Sequence, residues 1–578
     1  MEEKNENVLK TVNVYGQLIP LKEILKIFFE IPNVFEKIYK YITTLNENTD
    51  DEICNIVQTS FWKSKILNNE SITFPLFLYE DAFETANPLG SHAGIYKLCG
   101  MYISIPCLPP ELSSRLDNIF LAQLYHADDT KLFSKKQIYS YLIRDLMILE
   151  TEGIQLSIGS KNIQVYFKLA LIIGDNLRLH GILGFVESFS ANLCCRFCKI
   201  SKDISRKPCS EDINLLRNKI NYAQDIAINK VTITGLKESC AFNVLKSFHA
   251  VENYSVDIMH DLLESTSEIL YYFIVQQQYF TLDTLNWRLQ FFNFDSMSNR
   301  PPTISLSQLL NKSIKMSAAE MLCFILNAGL IFGDLITNPN DKYWSLYKLL
   351  RKILSITLQY SVTKSTADLL ESLINEHHML YIDLFGETLK SKHHLMLHYP
   401  RVMNTVGSLR PLWSMRFEAK HRPLKQYAQA TASRRDICYS IAVKQQLMLS
   451  NLFMTLQLNN LPYVTYKESN SLVSLKNVIL NNYTNYITLK SICFGNVVLK
   501  KGSIVLVNID NDGYSLFVEI SYIFKKKTNI VSLSPSNFIT TIKYLFATYF
   551  DDHYQAYTIN ISDKYDTISF NSLVYFKV

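Results

Sequence analysis

The order of strand and helix patterns between residues 71 and 193 constrains the fold of this chain more than any other feature. Three apolar or alternating runs come first, separated by turn signals, and this pattern predicts an antiparallel meander. An amphipathic helix opened by Ser134, a long strand and a second helix follow. The six predicted elements occupy, in order, residues 71–83, 95–107, 118–128, 134–151, 162–176 and 179–193.

Strand, strand, strand, helix, strand, helix is the order of elements in the ribonuclease H-like fold. In that fold the first and fourth strands are neighbours, and sites gather at the carboxyl ends of strands. Asp81 closes the first predicted strand and Asp175 closes the fourth, so acids 94 residues apart in sequence are expected to meet. The predicted fold class is mixed α/β with a ribonuclease H-like core.

Changes in the hydrophobic pattern along the chain predict the domain boundaries. Nearly continuous helical periodicity after residue 209 predicts a large all-helical insertion in the core, and strand-rich runs after residue 487 predict a small separate β domain. The predicted segments are a helical N-terminal region at 1–70, the core at 71–208 and 389–455, the helical insertion at 209–388, a linker at 456–486 and the β domain at 487–578.

Cysteine usage and apolar runs indicate the compartment. The 11 cysteines are scattered from Cys54 to Cys493 without a disulfide framework, which indicates reduced thiols inside the cell. The N-terminal segment MEEKNENVLK is too polar for a signal peptide. The strongest apolar run, Met321 to Gly333, is shorter than the roughly 20 residues that a membrane span needs. A soluble cytoplasmic or nuclear protein without a membrane segment is expected.

Residues 390 to 435 concentrate positive charge. They hold 10 of the 58 lysines and arginines but one of the 53 acids, Glu418, which leaves 48 basic and 52 acidic residues elsewhere. A carboxylate alone among cations is either a buried structural counter-ion or a group held near a bound polyanion, and the second interpretation is favoured. Basic side chains here are expected to contact nucleic-acid phosphates without reading sequence. The residues assigned to this role are Arg410, Arg416, Lys420, Arg422 and Lys425.

Two pairs of residues predict a zinc site. Cys195 and Cys198 have a spacing with which two thiolates reach one tetrahedral zinc, and His393 and His398 offer two imidazoles from one short segment. Together they supply the four ligands of a closed, structural site, which would clamp both ends of the helical insertion to the core. Alternative ligands are His394, Cys209, Cys240 and the pair His377 and His378.

Asp81, Asp175 and Glu418 form a second predicted constellation. Three carboxylates at one sheet edge repel each other unless divalent metals hold them, and Mg2+ prefers oxygen ligands and keeps water positions open. Two such ions about 3.5–4 Å apart activate a water and stabilise the leaving oxygen in phosphodiester cleavage. The alternative is that all three are ordinary turn and surface acids.

Four segments carry a resemblance to a known family: FLYEDAFETANPLGSHAGIYKLCGMYISI, IIGDNLRLHGILGFVESFSANLCCRFCK, VDIMHDLLES, and the stretch from KHHLMLHYP to HRPLK. They resemble the CACTA (En/Spm-like) transposases of the CACTA–Mirage–Chapaev superfamily and, more distantly, the catalytic subunit of the V(D)J recombinase. These families share a ribonuclease H-like core with a DDE triad, a Cys-x2-Cys pair after the second acid, a helical insertion and a histidine pair before the last acid. The spacings agree: 20 residues from Asp175 to Cys195, 5 from His393 to His398 and 20 from His398 to Glu418.

The resemblance implies a nuclear DNA transposase that hydrolyses phosphodiester bonds and joins the freed 3′-hydroxyl to target DNA. It implies two Mg2+ or Mn2+ ions on Asp81, Asp175 and Glu418, with Glu264 of VDIMHDLLES as the runner-up for the third position. It also implies one structural Zn2+ on Cys195, Cys198, His393 and His398. The implied partners are double-stranded DNA, as transposon ends and target, and a second copy of the chain in a dimer. The alternative function is a domesticated, catalytically inactive DNA- or protein-binding module.

Overall fold

A computed structural model gives the fold of this protein. It is mixed α/β, as predicted, and contains two β-sheets and a large set of helices. The structure describes residues 14–47, 51–66, 71–86, 96–113, 115–205, 209–263, 267–294, 299–386, 389–431, 436–459, 464–468, 486–494, 497–509, 515–526 and 538–569.

The first sheet has the strand order β1-β4-β3-β2-β6-β5. Its strands are β1 (Gln17–Leu18), β2 (Ile72–Glu84), β3 (Lys97–Ser104), β4 (Ile119–His126), β5 (Ile154–Ile158) and β6 (Lys161–Ile173). The predicted meander is present, since β2, β3 and β4 pair antiparallel. The long strand β6 pairs parallel with β2. Every residue of β2 from Phe74 to Glu80 is buried, so both faces of this central strand are covered.

The prediction that Asp81 closes its strand is corrected by the register of β2. Parallel pairing with β6 ends where Tyr79 lies opposite Ile173, but antiparallel pairing with β3 continues to Glu84. Asp81 therefore lies inside β2, just past the point where β2 and β6 separate.

The helices around the first sheet begin close to the predicted positions but differ in their bounds. The predicted helix at 134–151 is divided, and Ser134 caps its first part by accepting a hydrogen bond from the Gln137 amide. These helices are α1 (Leu21–Glu30), α2 (Val34–Glu47), α3 (Ser60–Lys65), α4 (Pro110–Ser113), α5 (Asp129–Leu132), α6 (Lys135–Ile138), α7 (Ser140–Thr151) and α8 (Asn176–Leu183).

The helix predicted over 179–193 is replaced by the earlier and shorter α8. Asp175 caps this helix, and Gly184 ends it with a φ of 85°, which favours glycine. A side chain at Gly184 is excluded, because a Cβ there would lie 2.2 Å from the Glu238 carbonyl oxygen. The cysteine pair consequently lies in an irregular segment after the helix.

Described residues between β6 and Asn459 form helices, turns and isolated bridges. The α-helices are α9 (Lys202–Ser205), α10 (Lys219–Ile228), α11 (Val231–Thr234), α12 (Ile258–Leu262), α13 (Ser267–Tyr271), α14 (Leu282–Phe291), α15 (Leu306–Leu310), α16 (Ala318–Phe332), α17 (Lys342–Thr357), α18 (Lys364–Phe385), α19 (Ser391–Met396), α20 (Tyr399–Val406), α21 (Met415–Ala430) and α22 (Ile437–Asn459). The short 3-10 and π turns are Ile56–Gln58, Leu116–Asn118, Ile213–Leu215, Ala241–Val244, Tyr272–Gln276, Gly333–Leu335 and Arg410–Leu412.

The second sheet is antiparallel and lies at the C-terminal end of the chain. Its strands are β7 (Val464–Glu468), β8 (Tyr486–Phe494), β9 (Val497–Lys500), β10 (Ile504–Ile509), β11 (Ser515–Lys526), β12 (Phe538–Asp551) and β13 (Ala556–Ser569). The first of these strands falls in the segment that the sequence predicts as a linker.

The turn between β12 and β13 packs against α16 and α17. Trp344 Nε1 donates to the His553 carbonyl oxygen over 3.1 Å. Gly329 makes room for the turn, because a Cβ there would lie 2.1 Å from the Tyr554 carbonyl oxygen. Among the described helices, the window Ala318–Leu335 is long and apolar enough to cross a membrane, with mean hydropathy 1.6, and 50% of it is buried inside the protein. Part of this apolar surface therefore serves internal packing.

Candidate metal centres

Asp81, Asp175 and Glu418 come from three elements that meet beside β2. Asp81 and Asp175 each lie two residues beyond the last parallel pair of β2 and β6. The helix α21 packs against β2, and the Phe417 ring stacks on the Tyr79 ring with centroids 4.5 Å apart. This stacking places the next residue, Glu418, near the point where the two strands separate.

The charges of the three acids act on one another. Burial raises the pKa of Glu418 to about 7; His260 opposes this rise, whereas Asp81 and Asp175 add to it. Burial also raises the pKa of Asp175. The Arg178 amide opposes this rise by donating a hydrogen bond to Asp175 Oδ1 over 2.8 Å, and the charge of Asp81 adds to the rise. The three carboxylates thus lie within Coulombic range of each other, an arrangement that a divalent cation stabilises.

A histidine on α12 lies beside Glu418 and was missed by the sequence analysis. His260 Nε2 lies 3.8 Å from Glu418 Oε1, and His260 Nδ1 lies 2.5 Å from Asp257 Oδ2. Asp257 is fully buried and accepts hydrogen bonds from the Ser414 hydroxyl at 2.6 Å and the Ser414 amide at 3.2 Å. The spacing Asp-x2-His in the segment VDIMHDLLES was the available signal in the sequence.

Two buried polar atoms near these acids indicate that a further group belongs there. The Tyr79 hydroxyl and His421 Nε2 have no hydrogen-bond partner among the described residues. His421 Nδ1 lies 2.9 Å from the Tyr102 hydroxyl, so its Nε2 faces Asp81 Oδ2 at 3.3 Å, outside hydrogen-bond geometry. Burial, followed by the charges of Asp81 and Glu418, raises the pKa of Tyr79. Buried polar atoms are nearly always paired, so these two atoms are available to a group bound beside the acids.

The runner-up for the third position, Glu264, lies outside the described residues. Its neighbour Asp261 is described and is fully buried. Burial first, and then the charge of Asp257, raise the pKa of Asp261 to about 7.

Cys195, Cys198, His394 and His398 form a buried cluster whose ligand atoms all lie within 4.8 Å of one another. Cys195 Sγ is 3.4 Å from His398 Nε2, and Cys198 Sγ is 3.3 Å from His394 Nε2. The two Nε2 atoms are 3.4 Å apart. A tetrahedral zinc with ordinary bond lengths separates two nitrogens by about 3.4 Å and a nitrogen from a sulfur by about 3.6 Å. The cluster could hold a metal ion, and its donors and distances are compatible with zinc.

The predicted ligand His393 is corrected to His394. Residues four apart share one face of a helical turn, so His394 and His398 both face the cysteines across α19 and α20, whereas a spacing of five does not. The His393 ring instead packs on α18, with its centroid 4.5 Å from that of Tyr381 and 5.3 Å from that of His378. His393 Nδ1 accepts a hydrogen bond from the Lys390 amide over 3.2 Å.

Glu211 orients one imidazole of the cluster and was also missed. Its carboxylate binds His398 Nδ1 and accepts from Arg401 Nε through both oxygens at 3.0 Å. Carboxylate partners of this kind fix the ring orientation and tautomer of metal-binding histidines. The sequence offered no signal for this contact, because Glu211 and His398 are 187 residues apart.

The cluster also changes the acidity of its thiols. Burial alone would raise the pKa of Cys195, but the hydrogen bond with Cys198 and the imidazoles of His398 and His394 lower it. The hydrogen bond with Cys195, followed by burial, raises the pKa of Cys198. A thiol with a lowered pKa is prepared to bind a cation as thiolate.

Three of the five residues assigned to DNA have partners within the protein. Arg416 donates from Nη2 to the Ser113 carbonyl oxygen. Lys420 is 3% exposed and donates from Nζ to the Leu116 carbonyl oxygen over 3.0 Å. Arg410 stacks on Tyr360, with its guanidinium carbon 3.9 Å from the ring centroid.

The other two residues lie further along α21 and are more accessible. Arg422 is exposed and Lys425 is half-buried. A contact with phosphate backbone therefore remains a prediction for these two side chains, whereas the first three contribute to the packing around α21.

Comparison of the chain with models of known protein families and with curated proteins gave no match.

Proposed function

We propose that this protein is a DDE-type DNA transposase whose acidic centre is Asp81, Asp175 and Glu418. The observation that carries the proposal is the parallel pairing of β2 and β6, after which two of these acids follow at equal distances. The third acid reaches the same region from α21 and is electrostatically coupled to both. Such a centre suits divalent-metal-dependent cleavage of phosphodiester bonds.

The strand order supports a ribonuclease H-like core in this proposal. The antiparallel strands β4, β3 and β2 are followed in the sheet by β6, which runs parallel to β2. This is the order 3-2-1-4 of the expected fold, with α7 before the fourth strand and an additional strand, β5, that pairs antiparallel with the fourth. The helices from α10 to α18 then correspond to the predicted insertion at 209–388, between the second and third acids.

In this proposal the three carboxylates would hold two Mg2+ or Mn2+ ions, because such ions prefer oxygen ligands. When bound, such ions supply an activated water and stabilise the leaving oxygen. The protein itself orients the carboxylates: His421 faces Asp81, and His260, held by Asp257, lies beside Glu418. Groups held in place before the substrate binds do not need to reorganise during the reaction.

The partners in this proposal are transposon ends and target DNA, cut and joined by a dimer in the nucleus. The metal of the Cys/His cluster is zinc in this proposal, and its role is structural, because four protein ligands leave no open position.

Nicking of supercoiled plasmid in Mg2+ tests the proposal. Wild-type protein should nick, whereas Asp175→Asn and Glu418→Gln should lose at least about 100-fold in rate, since each removes a charged oxygen ligand of a metal that carries the reaction. Asp145→Asn on α7 is the matched control and should keep wild-type activity. Equal nicking by wild type and both acid variants would refute the assignment. A wild-type protein that binds DNA without nicking it would favour the domesticated binding module.

A further inference from the structure

A series of buried hydrogen bonds connects the Cys/His cluster with the acidic centre. Arg196 Nη1 donates to Asn176 Oδ1 over 2.8 Å. Asn176 Nδ2 donates to Asp261 Oδ1 over 2.7 Å, and the Tyr399 hydroxyl donates to Asp261 Oδ2 over 2.9 Å. All four side chains are at most 6% exposed, so solvent does not compete for these bonds.

The residues in this series of hydrogen bonds are sequence neighbours of the candidate metal ligands at both centres. Arg196 follows Cys195 and Tyr399 follows His398, so the positions of both residues depend on the position of the Cys/His cluster. Asn176 follows Asp175 and begins α8. A shift of either backbone segment would therefore break a hydrogen bond to Asn176 or Asp261.

The helix α12 connects the network to the third acid, Glu418. Asp261 lies on α12 one turn after Asp257, the residue that caps this helix and holds His260 beside Glu418. Arg196 Nη2 also donates to the Ser255 carbonyl oxygen over 2.8 Å, and the Ser255 hydroxyl donates to the Ile172 carbonyl oxygen at the end of β6. The start of α12 and the end of β6 are thus fixed by the same guanidinium group.

The charges in this network compensate each other. Burial lowers the pKa of Arg196, and Asp261 is the first group that opposes this effect. A buried polar group that loses its partner costs free energy, so arrangements that leave one member of this network unpaired are disfavoured. A fully bonded buried network therefore favours one geometry of the segments that it joins.

We propose that Arg196, Asn176, Asp261 and Tyr399 form a positioning network through which an occupied Cys/His site holds the acidic centre in its cation-binding geometry. This inference rests on the proposed function, since it requires that the three acids bind divalent cations. The network residues are positioning residues, because they act through Asp175 and α12 and not on the substrate. Coupling between the affinities of two binding sites is reciprocal, so cations at the acidic centre should also tighten metal binding at the cluster.

The test measures binding of Mn2+ alone to zinc-loaded protein, by electron paramagnetic resonance of free Mn2+, together with zinc content and melting temperature. Asn176→Leu cuts the network at its centre, and Tyr399→Phe removes one hydroxyl with little change of shape. Both variants should keep zinc and yet bind Mn2+ at least about fivefold more weakly, the lower end of ordinary coupling between sites. Tyr347→Phe is the control: it removes a buried hydroxyl bonded to α16 backbone and should leave Mn2+ affinity unchanged.

The outcomes separate this inference from the proposed function. Folded, zinc-loaded Asn176→Leu and Tyr399→Phe proteins that bind Mn2+ within twofold of wild type would overturn the positioning network alone. Wild-type protein whose Mn2+ binding is insensitive to Asp175→Asn would overturn both the network and the acidic centre. If Asn176→Leu does not fold, the Mn2+ affinity of the milder Tyr399→Phe variant decides whether the positioning network is correct. At equilibrium, a competing chelator should remove less zinc from wild type when Mn2+ is present, and the same amount with and without Mn2+ from Tyr399→Phe.

Discussion

His393 and His394 are adjacent residues with opposite environments. The first packs its ring against Tyr381 on α18, and the second places Nε2 3.3 Å from Cys198 Sγ. Both are buried, at 3% and 5% exposure, so burial does not distinguish the candidate metal ligand from the core histidine. What distinguishes them is that His394 faces the cysteines together with His398, four residues later, whereas His393 does not.

This difference predicts a contrast between two substitutions of the same type. His394→Gln should reduce bound zinc from about one equivalent per chain to well below half, because a tetrahedral site loses one of four ligands. His393→Gln should keep the metal while lowering stability through its packing on α18. Elemental analysis of both purified proteins measures this contrast, and equal zinc content in the two variants would contradict the ligand assignment.

A second prediction at this scale concerns Glu211. Glu211→Gln keeps the size of the side chain but removes the charge that orients His398. Loss of such a partner typically weakens metal binding by about 10–100-fold. Competition with a chelator of known affinity measures the effect, and Glu187→Gln, a surface acid near Lys135, is the control. Unchanged zinc affinity would show that His398 needs no orienting carboxylate.

At the scale of elements, α21 divides its charges between two environments. Arg416 and Lys420 turn toward the chain segment before β4 and donate to its carbonyl oxygens. Burial lowers the pKa of Lys420 to about 8, which the charge of Asp117 opposes. Arg422 is exposed and is available to an external polyanion. One helix thus carries core contacts and a candidate DNA contact.

The salt dependence of DNA binding should separate these two groups of residues. Replacing Arg422 and Lys425 together by Gln should lower the slope of log affinity against log salt by up to about two, near one per lost phosphate contact. Lys420→Met should leave the slope unchanged and affect stability, because its ammonium group binds a backbone carbonyl. Fluorescence anisotropy with a duplex at several salt concentrations gives the slopes. An unchanged slope in the double variant would exclude this face of α21 from the DNA contact.

At the scale of the whole molecule, the β12–β13 turn connects the second sheet to the helices. Asp552 in this turn forms ion pairs with Lys348 at 2.9 Å and Lys352 at 2.7 Å. Burial would raise the pKa of Asp552, but hydrogen bonds with Lys352 and Lys348 lower it to about 2. The turn of the second sheet is therefore held against α17 by charges and against α16 by the close packing of Gly329 on Tyr554.

This ion pair should contribute to stability in a defined pH window. The pKa of Asp552 is depressed in the folded state, so its contribution is fully present above about pH 4 and is lost as pH falls toward 2. The difference in urea midpoint between wild type and Asp552→Asn should consequently shrink over that range. Asp383→Asn, which breaks an exposed pair with Lys342, should cost little at any pH. A constant difference for Asp552→Asn between pH 6 and pH 3 would show that its charge is not involved.

Local patterns were sufficient to predict many of these features. Alternation and turn signals predicted the strands that became β2, β3 and β4, and the run ending at Ile173 predicted β6, because period-two patterns and apolar runs reflect local burial. The pair Cys195 and Cys198 was visible from its spacing alone. The mixed α/β class follows from these patterns without any knowledge of contacts.

Only the tertiary structure decided which distant residues meet. The choice of His394 over His393 depends on how α19 turns toward the cysteines, and the contacts of Glu211 with His398 and of Asp257 with Ser414 join segments far apart in sequence. The sequence predicts Arg416 and Lys420 as cations that bind phosphate, yet the packing of α21 on β2 directs both side chains to backbone carbonyls. Sequence patterns record the burial and spacing of neighbouring residues, whereas the partner of a buried polar group is set by chain segments that folding brings together.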